Sequence, residues 1–266
     1  MHESSRDFVR VRGKQLAERQ DFDATFPGFP RVYPDARTFP SSYAFEDPFE
    51  DVAIRRCRFA MFQHPMQREL ADRPTLRRIT VERCHFTASD IGPIILEDST
   101  IDTIWFHRGI WGPQMFAGCA FKHVVIRGAV RGSIAFVPSH DWWMDHLLEP
   151  ATTDPTVKAN ERYYSGVDWA LDISQAEFTG FEMYRSGIPA RLVRRDPETQ
   201  VVITRSSVAA ADWRRACGDS STWVAIERFL DSGFADTVLI APKRSKFLDA
   251  DVAAFRRLRD IGVVVS

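Results

Sequence analysis

Every fifth residue from Leu76 to Ile126 is large and apolar: Leu76, Val81, Phe86, Ile91, Leu96, Ile101, Phe106, Trp111, Phe116, Phe121 and Ile126. In a chain that is 44% hydrophobic, such an unbroken series arises from one start about once in ten thousand. Neither regular period accounts for it. Five residues of helix turn about 500°, so the positions would spiral around the axis. Five residues of strand is an odd step and would alternate faces. A period of five asks for an extended chain that bends once per repeat.

The flanking positions agree. Two residues before each ladder position stand Pro74, Ile79, Cys84, Ser89, Ile94, Ser99, Ile104, Gly109, Gln114, Cys119 and Val124, mostly small or aliphatic. Extended residues two apart share a face, so each repeat sends one large and one smaller side chain inward. The two residues after each position, from Arg77-Arg78 through Arg127-Gly128, include no Val, Ile, Leu, Met, Phe, Trp, Tyr or Cys. They read as corners, where turn geometry and solvent favour polar residues, Gly and Pro. Gly92-Pro93 and Gly112-Pro113 repeat after twenty residues, which suggests four repeats per coil.

Ala176-Glu177-Phe178-Thr179-Gly180, Cys84-His85-Phe86-Thr87-Ala88 and Cys119-Ala120-Phe121-Lys122-His123 resemble the motif of the pentapeptide-repeat family. Weaker traces run through Phe49, Ile54 and Phe59 and through Ile173, Phe178, Met183 and Ile188. The resemblance implies a mainly β chain: a right-handed quadrilateral β-helix, to which the chain adds a small C-terminal α/β unit. Apolar outer positions and long interruptions depart from the family pattern, so the fold transfers better than any one member's function. At four repeats per coil Ile95 would stack on Met115, Trp105 on Val125 and Ile110 on Val130. Such apolar outer faces need a cover. The N-terminal arm and the C-terminal unit are expected to supply it, or a homodimer through these faces.

Residues 1–45 read as an N-terminal arm or cap, with a short helix through Phe8–Glu18. Residues 46–198 carry the repeats, interrupted near 60–75 and 137–168. Residues 199–266 read as the α/β unit. Its strands are expected at Val201–Thr204, Thr237–Ala241 and Val263–Val265, and its helices at Ser207–Cys217, Ser221–Asp231 and Asp251–Asp260.

Composition narrows the function. Thirty-five Lys and Arg balance 36 Asp and Glu for a net charge of −1, which disfavours direct nucleic-acid binding. No apolar run approaches membrane-spanning length, so no membrane partner is expected. The first twenty residues are charged and hold no signal-peptide core. Cys57, Cys84, Cys119 and Cys217 form no C-x-x-C pair, which fits a cytoplasmic location and argues against a disulfide framework or cysteine zinc site. His140, Asp141, Asp145 and His146 crowd one loop, but their spacing matches no established metal motif. Lys243, Arg244 and Lys246 follow a strand, as at anion sites, without a glycine-rich loop. A G-x-S-x-G elbow is absent. No catalytic, cofactor or metal residue is therefore assigned.

The expected function is a non-enzymatic protein-binding scaffold, most specifically a bacterial immunity protein that binds and neutralises a cognate toxin. Trp142 and Trp143 are the expected anchors, with Asp141 and Asp145 as a polar rim for a basic partner. Two alternatives stand beside it. One is an enzyme using the 137–168 loop with the C-terminal unit. The other is a DNA-mimicking topoisomerase modulator, although residues 76–136 hold five acidic side chains against seven Lys and Arg.

Overall fold

The period-five residues meet one another across strands. In a computed structural model, which describes residues 16–18, 49–50, 53–55, 58–60, 73, 75–83, 85–87, 94–107, 114–138, 150, 152, 154–183 and 186–265, Phe49, Leu76, Leu96 and Phe121 line up across a four-stranded parallel sheet. Ile54, Val81, Ile101 and Ile126 line up in an eleven-stranded one. Phe86 pairs with Phe106, and Phe116 with Phe136. Parallel strands in register put like faces together, so a local period becomes one shared interior. Leu76, Leu96, Ile101, Phe106, Phe116, Phe121 and Ile126 are all buried, as are Ile79, Ile94, Ile104 and Val124 from the smaller positions. Ser99, a polar member of that second set, satisfies its hydroxyl by accepting from the Ile79 amide at 3.0 Å and donating to the Glu97 carbonyl at 2.6 Å.

The expected mainly β, right-handed quadrilateral β-helix is overturned. The sheets are mixed, two parallel and one three-stranded and antiparallel, with helices among them in an α/β-like arrangement. A regular coil needs a constant advance and a bend at every corner. Leu76 to Leu96 is a step of twenty residues, but Leu96 to Phe121 and Ile101 to Ile126 are steps of twenty-five. Thr100–His107 and Val124–Val137 also continue as single strands through the corner positions Asp102-Thr103 and Arg127-Gly128. A register irregularity between Arg127 and Val130 absorbs the bend. The expected stacking changes accordingly. Ile95 stands beside Ala120, Met115 beside Ala135, Val125 beside Thr100 and Trp105 beside Arg131. Ile110 lies outside the described residues. Met115, Ala117, Ala135 and Val137 form a separate buried cluster on the face opposite Phe116 and Phe136. This outer apolar face is closed within one chain.

The corners obey a rule. In every described corner pair on the ladder, the second residue has a left-handed backbone: Arg78, Arg83, Asp98, Thr103, Gly118, His123 and Gly128 all have φ between 48° and 69°. Side chains there are strained, and pairing to the next strand offsets the strain. The Arg78, Arg83 and Asp98 amides donate to the carbonyls of Glu97, Asp102 and Lys122 at 2.9–3.0 Å. Gly128 has a second reason to be glycine, since an added Cβ would lie 2.4 Å from Thr103 Oγ1. Gly132, at φ +101°, would meet the Phe106 carbonyl oxygen at the same distance.

The 137–168 interruption ends in a helix, Pro155–Tyr164. Asp154 caps it by accepting from the Thr156 amide at 2.7 Å, and proline occupies the first turn. Proline is pre-organised for that position. At the other end of the chain, Leu16–Glu18 is a strand parallel to Ala53–Arg55 rather than the end of a helix through Phe8–Glu18. The rest of the arm lies outside the described residues.

Beyond residue 199, Gln200–Thr204 pairs antiparallel with Asp236–Ile240 and with Val264–Val265. Helices Thr222–Ser232 and Leu248–Asp260 stand where they are expected, and Gly233, at φ +85°, ends the first. The single helix expected over Ser207–Cys217 is two, Arg205–Ala209 and Trp213–Cys217. Thr204 and Asp212 each cap a separate start. Val202 and Val238 join the core of the parallel sheets. Arg244 donates its amide to the Phe178 carbonyl at 3.1 Å and pairs its side chain with Glu177. Lys243 pairs with Asp196 at 2.9 Å. Among the described residues no helix is long and apolar enough to cross a membrane.

Asp251, only 2% exposed, joins the last two long helices. It accepts from the Ser221 amide and hydroxyl and from the Thr222 hydroxyl at 3.0–3.2 Å, at the start of Thr222–Ser232. Burial pushes its carboxyl up despite these donors. Asp251→Asn keeps an acceptor without the buried charge and should change stability by under about 1 kcal/mol. Asp251→Ala strands the donors and should cost about 1–3 kcal/mol. Urea unfolding at neutral pH separates the two.

Candidate functional site

The stacking of strands lines up corners from distant parts of the sequence. Asp98 follows strand Ile95–Glu97, His123 follows Ala120–Lys122, Trp169 precedes Leu171–Asp172, and Arg194 closes Val193–Arg194. The Asp98 amide donates to the Lys122 carbonyl, and the His123 amide to the Trp169 carbonyl. The side chains follow the backbone. His123 Nδ1 lies 2.9 Å from Asp98 Oδ1, and Nε2 lies 2.6 Å from Asp168 Oδ1. Its ring packs on Trp169 with centroids 4.8 Å apart. The Arg194 guanidinium lies 4.0 Å from the Trp169 ring centroid, within cation–π range.

A carboxylate oxygen accepts, so both ring contacts are hydrogen bonds at once when both ring nitrogens donate, as they do in imidazolium. The bond to Asp168 holds the imidazole above its ordinary value against a smaller effect of burial, and the bond to Asp98 adds to it. In turn His123 holds Asp168 below the usual carboxylate range. With both nitrogens engaged, His123 offers no lone pair to a substrate and is not placed as a general base. The group is exposed: the Asp98 and Asp168 side chains retain 48% and 73% of their accessible surface.

A second polar group is buried. Arg73 Nη1 donates to the Gly118 carbonyl at 2.9 Å and to Asn160 Oδ1 at 2.6 Å. Among the described residues Arg73 Nε meets no acceptor. Asn160 Nδ2 reaches the Cys119 carbonyl at 3.4 Å. Tyr164 Oη accepts from the Phe121 amide at 3.3 Å, and Tyr163 donates to Glu97 at 3.0 Å. These contacts fasten helix Pro155–Tyr164 to the parallel strands. Burial lowers the Arg73 pKa and raises both phenols, and it pushes the Cys119 thiol up to about 12. Cys217 is pushed up to about 11, again by burial. Both thiols are held away from the nucleophilic thiolate form.

The expected partner contacts Trp142, Trp143, Asp141 and Asp145 lie outside the described residues, as do His140 and His146. Tyr163 and Tyr164, in the same interruption, anchor its helix to the core. The carboxylates Glu97, Asp98 and Asp102 are each matched by a cation, from Arg77, His123 and Arg127. Lys243 and Arg244, read from sequence as possible anion ligands, are matched by Asp196 and Glu177. Burial raises the Asp196 pKa less than Lys243 and the Glu198 and Thr199 donors lower it. Among the described residues no group of three His, Cys, Asp or Glu is arranged to hold a metal. Sequence reasoning missed the His123 group. Its signal was the corner rule, since Asp98 and His123 occupy the same place in their repeats, but linking them needs the step of twenty-five. No family model, curated protein or solved structure matches the chain.

Proposed function

We propose that this chain is a non-enzymatic protein-binding scaffold whose contact surface includes the Arg194–Trp169–His123 stack, and that its partner is a toxin which it neutralises as an immunity protein. The observation that carries the binding reading is the stack itself, in which an exposed Arg194 lies over the half-buried rings of Trp169 and His123. Tryptophan and arginine dominate interface energetics, and here they are held together before any partner arrives. Each is fixed by strand pairing or by ring contact, so little ordering entropy remains to be lost on association. Asp98 and Asp168 stand beside His123 and Arg194, so the patch offers a partner charges of both signs. The engaged nitrogens of His123 and the protonated thiols of Cys119 and Cys217 favour binding over catalysis at these residues.

The test begins with capture from the source cell by the wild-type chain, followed by purification of the captured protein and calorimetry. Trp169→Ala should weaken its affinity by at least about 2 kcal/mol, and Arg194→Glu should act in the same direction. Circular dichroism should show that Arg194→Glu melts with the wild type. Trp142→Ala and Trp143→Ala address the contacts expected from sequence in the same assay. Equal affinities for wild type, Trp169→Ala and Arg194→Glu would remove the stack from the interface. A partner whose toxic activity persists in the saturated complex would remove the immunity role.

A further inference from the structure

We propose that His123 is a proton-dependent latch, fastening the return segment 165–169 to the turn at Asp98 when protonated and releasing it when neutral. Three separate pieces of chain meet at one ring. Asp98 comes from the turn after Ile95–Glu97, His123 from the turn after Ala120–Lys122, and Asp168 from the return of the 137–168 interruption. Protonated, the ring donates to both carboxylates and links all three. Neutral, it keeps one donor, so one carboxylate loses its bond and the two acids face each other across an uncharged ring.

The sign follows from the direction of the pKa. His123 is raised in the folded state, so its contribution is fully present below the unfolded value of about 6.5 and is lost as pH rises through the folded value. The window therefore opens above about pH 6.5. Asp168, which is lowered, supports the same contact until acid protonates it, so the latch is strongest between the two titrations. Among the described residues the other charged side chains at these corners are Arg77, Arg78, Glu97, Lys122, Arg194 and Arg195. Carboxylates, lysine and arginine ordinarily keep their charge through this window, so its change belongs to His123.

What the latch controls is local. The His123 amide donates to the Trp169 carbonyl at 3.2 Å and the Val124 amide to the Ala170 carbonyl at 3.0 Å, so both lie under the return segment. Releasing the ring exposes these bonds to opening without disturbing Leu171 and Ile173, which are fully buried.

The experiment is a proton titration of the His123 ring by NMR, with amide hydrogen exchange corrected for intrinsic rates. Between about pH 6 and about pH 8.5, protection at His123 and Val124 should fall by roughly threefold or more, while the antiparallel sheet is unchanged. His123→Gln should hold the lower protection at both pH values. Asp168→Asn should bring the ring back toward its ordinary pKa and move the loss of protection with it. A ring that titrates at or below about 6.5, or a His123→Gln chain with the wild-type pH dependence, would overturn the latch. The readout needs no partner, so it stands or falls apart from the binding role.

Discussion

Phe121→Ala should destabilise the chain by about 3–5 kcal/mol, the loss expected when a large ring leaves a packed interior. Phe121 is 1% exposed. Its ring stacks on Phe136 at 5.1 Å with an interplanar angle of 22°, and lies 6.3 Å from Phe116. Phe136 meets Phe116 and Phe181 edge-on at 5.0 Å. Truncating Phe121 therefore opens a cavity beside Phe116 and Phe136, whose strand register limits how far they can collapse into it. Phe121→Leu keeps most of the volume and should cost less than half as much. Urea unfolding measures both. A loss under about 1 kcal/mol for the alanine variant would place the ring outside the packed interior.

Asn160→Leu should cost roughly 3 kcal/mol, through a different term. Arg73 is a buried cation whose Nε meets no acceptor among the described residues, and Asn160 supplies its shorter bond. Removing that acceptor takes away the guanidinium's shorter bond and the 3.4 Å contact of Asn160 Nδ2 with the Cys119 carbonyl. Arg73→Met removes the charge and strands Asn160 instead. The double variant Arg73→Met with Asn160→Leu should be less destabilised than the sum of the singles, because two apolar side chains fill the space and no buried charge remains. Strict additivity in the double-mutant cycle would show that the two residues do not act together.

Local chemistry was legible in the sequence and distance was not. Side-chain direction in an extended chain depends on neighbours, so the period alone marks Leu76, Leu96, Phe121 and Ile126 as core. It puts the corner residues Asp98 and His123 at bends for the same reason. Which corner lies over which depends on how many residues separate paired strands. Nothing local distinguishes a step of twenty from one of twenty-five, so the repeat points Ile95 to Met115 where its strand neighbour is Ala120. The quadrilateral coil failed on that point and on the strands that run through their corners. Helix Pro155–Tyr164 did carry a start signal in Asp154-Pro155, a capping residue followed by proline. Asp168 and Trp169 carried none, because their role comes only from where the interruption returns.

Arg244, bonded to Phe178, is made long after the strand it covers. Translation at about 5–20 residues per second leaves Ala176–Glu182 complete for roughly 3–12 s before Arg244 is added to the chain. During that interval a parallel strand edge faces solvent beside other ribosomes on the same message, and an open edge is a template for pairing with another chain. A risk of aggregation thus falls on the nascent chain that the finished chain does not share at Phe178. Yield under strong expression should respond more to slower initiation, which spaces the ribosomes apart, than to substitutions that raise the melting temperature.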